Sequence, residues 1–171
     1  SLYLYLKYKY FNKEEIPFVD KLEVSLQGPG KVKIRVYEKS VVGYVTYMGA
    51  NFYFDKDGVV VESSTDVKED IPCISGVRFS SLAMYQKLAV ENDKIFGRIL
   101  NITQLLKKYE LSPDKIEFGK DLALTLYFGN VKVALGSNDD LEDKIGRLHD
   151  IYSDLESLSG TLHMENYTLD S

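Results

Sequence analysis

Leu22, Val24 and Leu26 alternate with polar neighbours, and Val32, Ile34 and Val36 alternate with Lys31, Lys33 and Arg35. A period of two, with one apolar and one charged side, is the pattern of a half-buried strand. Gly28-Pro29-Gly30 lies between the two runs and forces a turn, so residues 21–37 read as a hairpin. Alternation resumes through residues 41–47 and 51–54; Asp57-Gly58 supplies a tight turn, and residues 59–62 return. The clearest hairpin covers residues 122–128, turns at Gly129-Asn130 and comes back along residues 131–135.

Two segments change period. Ile95, Ile99, Ile102, Leu106 and Tyr109 step by four and three, as do Leu141, Ile145, Leu148, Tyr152 and Leu155. Both are apolar stripes of amphipathic helices. Ser137-Asn138-Asp139-Asp140 offers the second helix a side-chain cap and acids at its positive end, and Ser159-Gly160 is expected to close it. Residues 161–167 then read as a last strand. The N-terminus is two-sided: Leu2, Leu4 and Leu6 alternate like a strand, while Leu2, Leu6 and Tyr10 share a helix face. The order after residue 50 is strands, helix, strands, helix, strand. It predicts an α+β fold, a mixed sheet with two helices packed on it.

Charge divides the chain. Residues 1–54 hold 8 basic and 5 acidic side chains, a balance of +3; residues 55–171 hold 13 and 21, a balance of −8. The change of sign near residue 54 favours two modules, and 171 residues leave room for two small ones. The net charge of −5 argues against general nucleic-acid binding. A single cysteine, Cys73, excludes an intrachain disulfide and a cysteine-based zinc site. No apolar run reaches the roughly 18 residues of a membrane span. Ser1 stands where an initiator methionine would, with no signal peptide, so the chain reads as a fragment of a longer protein. With 13 Tyr, 8 Phe and no Trp, its surface suits contact between proteins.

Candidate chemistry is sparse. Asp55-Lys56-Asp57-Gly58 resembles the start of a calcium loop, but Asp66 stands where the bidentate glutamate belongs, and a hairpin turn is the better reading. His163-Met164-Glu165 matches half of a zinc deaminase motif whose second cysteine does not exist. His149 reads as a solvated helix residue and Cys73, after Pro72, as a small buried one. The pairs Glu69/Asp70 and Asp139/Asp140 lie where turns and helix starts favour acids. No catalytic residue, cofactor site or metal site is expected.

Five stretches in chain order resemble the bacterial division proteins FtsQ/DivIB. Ile16-Pro17-Phe18-Val19-Asp20-Lys21-Leu22-Glu23-Val24 looks like that family's hinge-proline lead-in, and residues 32–45, VKIRVYEKSVVGYV, resemble its V-x-V-x-E-x-x-P-V-A stretch, with Val41 in the proline's place. Tyr53-Phe54-Asp55-Lys56-Asp57-Gly58-Val59-Val60 is similar to its hairpin, Ile71-Pro72-Cys73-Ile74-Ser75-Gly76 to its l-P-x-i-x-G signature, and Gly160-Thr161-Leu162-His163-Met164 to its closing strand. Met164-Glu165-Asn166 replace the Arg-Tyr pair of many relatives.

The resemblance implies a truncated POTRA-like domain over residues 1–50, lacking its first strand, with Ser1–Tyr10 as its first helix. It implies an FtsQ/DivIB-type β domain over residues 51–171. The expected role is a non-enzymatic scaffold on the extracytoplasmic side of the bacterial cell membrane, attached by a single helix outside this chain. The implied partners are FtsL-like and FtsB/DivIC-like division proteins. The last strand has no successor to cover its outer side, and unpaired edges invite an added strand. The candidate partner-binding edge is therefore Leu162, His163, Met164, Glu165, Asn166 and Tyr167. Two rivals are a POTRA-type docking or chaperone module for protein export and a carboxylate-dependent cell-wall hydrolase.

Overall fold

The computed structural model describes residues 19–28, 31–38, 40–92, 94–137, 140–155 and 158–166. Two compact units emerge, divided between Ser40 and Val41.

In the first unit β1 (Val19–Leu26) and β2 (Val32–Glu38) form the expected antiparallel hairpin, with Leu26 opposite Val32. Gly28 takes φ of 110° in the turn, a region open to glycine. Val32 is half-buried, but Ile34 is 56% exposed, less covered than its place in the alternation predicts. Residues 1–10, ambiguous between helix and strand, lie outside the described residues.

The second unit is built on an eight-stranded sheet. Its strands are β3 (Val41–Tyr47), β4 (Ala50–Asp55), β5 (Val60–Ser64), β6 (Cys73–Ser75), β9 (Lys115–Phe118), β10 (Leu124–Phe128), β11 (Val131–Gly136) and β12 (Gly160–His163). A small antiparallel pair, β7 (Phe79–Ser81) and β8 (Ala89–Val90), stands apart. Helix α1 spans Lys94–Lys108 and α2 spans Leu141–Leu155. The sheet order is β12-β11-β10-β9-β6-β3-β4-β5. The β3–β4, β4–β5 and β10–β11 hairpins are antiparallel, as their short turns require, and the β3–β6, β6–β9 and β11–β12 pairs are parallel. Because β3 pairs with β4 and β6, residues 41–50 belong to this unit. The boundary falls at Ser40/Val41 and not after residue 50.

Register lines up the core. Ile74, Ile116, Leu126, Val133 and Leu162 are successive cross-strand neighbours, one row across five strands. With Val45, Phe54 and Leu135 they pack in one apolar cluster with the helices. From α1 come Ile95, Ile99, Ile102 and Leu106, and from α2 Leu141, Ile145, Leu148 and Leu155, the two stripes expected; Phe96 and Leu105 join them. The row one residue over, Tyr44, Cys73, Lys115, Tyr127, Lys132 and Thr161, lies on the opposite face. Cys73 is only half-buried there, a correction to its expected burial, because its strand places it away from the helices.

Gly76 ends β6 at φ 74°, and a Cβ on it would sit 1.8 Å from the Phe118 carbonyl oxygen. Neither the conformation nor the close approach tolerates a side chain. That accounts physically for the glycine closing the Ile71–Gly76 motif. Asp55 Oδ1 accepts hydrogen bonds from the N–H groups of Asp57 and Val59, so the calcium-like stretch is an aspartate-braced turn. The described span of α2 reaches Leu155, residues 158 and 159 are already outside a helix, and Gly160, at φ 129°, opens β12 and does not close the helix as expected.

Candidate partner-binding edge

The two ends of the sheet differ. At one end, β5 is partly covered by residues 85–88: Val60 N–H donates to the Gln86 carbonyl, and Tyr85 N–H to the Val60 carbonyl. Beyond that cover, Glu62 and Lys68 form an ion pair. Charge and cover are the usual protections of a sheet edge.

At the other end stands β12. Gly160 N–H donates to Asn130 O and Met164 N–H to Ala134 O, which places the polar backbone groups of the even-numbered residues toward β11. By alternation the N–H and C=O of Thr161 and His163 face outward. Among the described residues nothing pairs with them. The strand carries no lysine and no proline. Leu162 continues the apolar row on the helix side, and Thr161 and His163 lie exposed on the other.

The sequence overextended this strand. Of the residues expected to form the edge, Leu162 and His163 lie in β12; Met164 is buried beyond its end, Glu165 and Asn166 form a turn, and Tyr167 is outside the described residues. The physical cause is Lys144. Its side chain is fully buried, and its ammonium donates to Leu135 O at 2.9 Å and Glu165 O at 3.0 Å. Asp140 Oδ1 completes the environment at 3.3 Å, close enough for an ion pair but without hydrogen-bond alignment. Drawing the Glu165 carbonyl inward pulls the chain off the edge. Lys144 occupies a stripe position of α2, three residues after Leu141, so the helical period marks it as inward-facing although its charge hid it.

Charges beside the edge are arranged in pairs. His163 Nδ1 lies 3.1 Å from Glu165 Oε1. The Glu165 carboxyl is held below the usual range, first by a hydrogen bond from its own N–H and then by His163. On the face carrying Thr161 and His163, Tyr127 O–H donates to Glu117, which lowers the carboxyl's pKa and raises the phenol's; Lys115 adds to the lowering of Glu117. Lys115 and Lys132 flank the Tyr127 ring, 3.8 and 5.6 Å from its centroid. His149 is exposed on α2, near Tyr109, as expected for a solvated residue. Among the described residues, no group of three His, Cys, Asp or Glu side chains is placed to hold a metal. None of their helices is long and apolar enough to cross a membrane.

No protein-family model matches the chain. It is 24% identical over 144 residues to the cell division protein DivIB of Clostridium acetobutylicum, an alignment covering 81% of this chain and 56% of that protein. It is 22% identical over 133 residues to the cell division protein DivIB of Clostridium botulinum, covering 75% and 52%. The chain thus spans about half the length of the curated relatives it matches. Low identity sustained over three quarters or more of the chain, together with the five stretches in family order, makes this chain a distant relative of the DivIB/FtsQ cell-division proteins.

Proposed function

We propose that the chain is a non-enzymatic scaffold of the division machinery, the extracytoplasmic part of a protein held in the membrane by a helix outside this sequence. In this reading residues 41–171 are the β domain, residues 1–40 belong to a POTRA-like domain, and FtsL-like and FtsB/DivIC-like proteins are the partners. The observation that carries it is the outward-facing backbone of Thr161 and His163 at the end of the large sheet. A partner strand would pair there by β-augmentation, with Leu162 and the exposed His163 setting its side-chain preferences. The poor protection of β12, beside the covered edge of β5, supports a use for it.

The test is His163→Pro. The His163 N–H points away from β11, so proline removes an outward donor without breaking an internal ladder bond. The variant should keep its circular dichroism and melting temperature while losing binding to the extracytoplasmic segment of an FtsB/DivIC-like partner in titration calorimetry. Unchanged affinity in the folded variant would remove β12 as the site.

A further inference from the structure

Thr161 and His163 offer a partner four backbone groups, and each such hydrogen bond only exchanges a bond to water for one to the partner, so the net gain is small. An edge this short calls for an anchor nearby. Where β12 begins, a cavity of about 390 Å³ lies between the β10–β11 turn and the end of α2. Asn130, in that turn, accepts the Gly160 N–H, so cavity and edge adjoin. Phe128, Tyr152, Leu155 and Leu158 form its apolar lining, and Ser112 and Asp114 its polar side. Leu158 is 57% exposed.

Three observations define the chemistry this cavity would accept. Asp114 is held in place by the Gly129 N–H, which donates to its Oδ2 at 2.7 Å, leaving its charge at the cavity wall. The last turn of α2 carries no basic residue, so nothing within that turn offsets the negative end of its dipole. Phe128 and Tyr152 meet edge to face, centroids 5.3 Å apart. Tyr53, Phe96, Tyr109 and Tyr127 each have a lysine ammonium of this chain within 6 Å of the ring centre. Among the described residues none stands over Phe128 or Tyr152, although a carboxylate lies beside them.

We infer that this cavity is a receptor for a guanidinium group, supplied by an arginine of the segment that docks on β12. The identity of the carrier rests on the proposed function, whereas recognition of the cation does not. The aliphatic stem would lie against Leu155 and Leu158 and the planar head over the aromatic pair, with Asp114 accepting its hydrogen bonds.

The two claims are tested separately. N-acetyl-arginine amide, titrated into the whole chain and followed by amide NMR, should shift Asp114, Gly129 and Asn130 saturably. For a fragment of this size the dissociation constant should be about 1–10 mM, weakening with salt. Asp114→Asn keeps an oxygen to accept the Gly129 N–H and should weaken binding at least about fivefold. Tyr152→Leu, which leaves that bond untouched, should weaken it at least about twofold. Equal shifts with N-acetyl-norleucine amide, an unchanged constant in Asp114→Asn, or no saturation would overturn the receptor. For the carrier, Asp114→Asn should weaken the FtsB/DivIC-like partner about tenfold, while His163→Pro leaves the arginine amide titration as it was. An arginine amide site intact beside unchanged partner affinity in Asp114→Asn would overturn the carrier alone.

Discussion

Lys144→Met is the most informative single change in the core of the second unit. Methionine keeps the unbranched stem in the space between α2 and the sheet but removes the ammonium. The Leu135 and Glu165 carbonyls lose a charged donor at 2.9 and 3.0 Å, and Asp140 loses its ion pair at 3.3 Å. An orphaned buried acceptor costs about 1–3 kcal/mol, and breaking a buried pair from one side about 3–5 kcal/mol. Asp140 is 30% exposed and recovers part of its loss from water, as does any carbonyl that water can reach. Relief of the buried ammonium's own desolvation acts in the same direction. The net destabilisation should be about 3–4 kcal/mol, a large share of the roughly 5–15 kcal/mol that holds a domain together. In urea, with a slope of about 1.5–2 kcal/mol/M, the midpoint should fall by about 2 M at unchanged slope. Hydrogen exchange should quicken at Met164 first, since its N–H bond to Ala134 lies beside the lost contact. A midpoint shift below about 0.5 M would refute the reasoning. It would mean that the two carbonyls are reached by water and the ammonium's burial had been costing what its bonds return.

Gly76→Ala should abolish soluble expression or lower the melting temperature by more than about 10 °C, because both its φ of 74° and the Phe118 carbonyl forbid a Cβ; a melt within a few degrees of wild type would contradict this. Ile102→Ala, at a fully buried site in α1, should cost about 2–5 kcal/mol, whereas Ile34→Ala, at 56% exposure, should stay within about 0.5 kcal/mol, both read from denaturant midpoints. The Glu117–Tyr127 bond should leave a signature at both ends of the pH scale. Glu117 has its folded pKa lowered, so its contribution is present above the ordinary carboxylate value and fades as pH falls through the folded one. Tyr127 has its folded pKa raised, so its contribution is whole below the ordinary phenol value and lost as pH rises through the folded one. Both groups are near the surface, so Tyr127→Phe should cost less than about 1 kcal/mol at neutral pH; carbonyl NMR should find the Glu117 midpoint moved up toward its ordinary value, and an unmoved midpoint would refute the link.

Local periodicity settled the hairpins and helices of this chain before any contact was considered. Val32-Lys33-Ile34-Arg35-Val36 can alternate only as a strand, and only the two residues Gly129-Asn130 separate Phe128 from Val131, so pairing partner and direction follow from covalent reach. The stripes of α1 and α2 follow from 3.6 residues per turn and point inward whatever they meet. The parallel pairings were beyond such reading. Cys73–Ser75 is three residues long, too short to show a period, yet it joins β3 to β9 and unites the two antiparallel halves of the sheet. Its place depends on partners some 30 and 40 residues away in the chain. The end of β12 was equally hidden. Alternation alone would carry that strand through Tyr167; β12 instead ends at His163, and a lysine brought from α2 holds the Glu165 carbonyl just beyond. That contact spans 21 residues and could not be read from periodicity, because a buried ammonium must find acceptors wherever the fold places them.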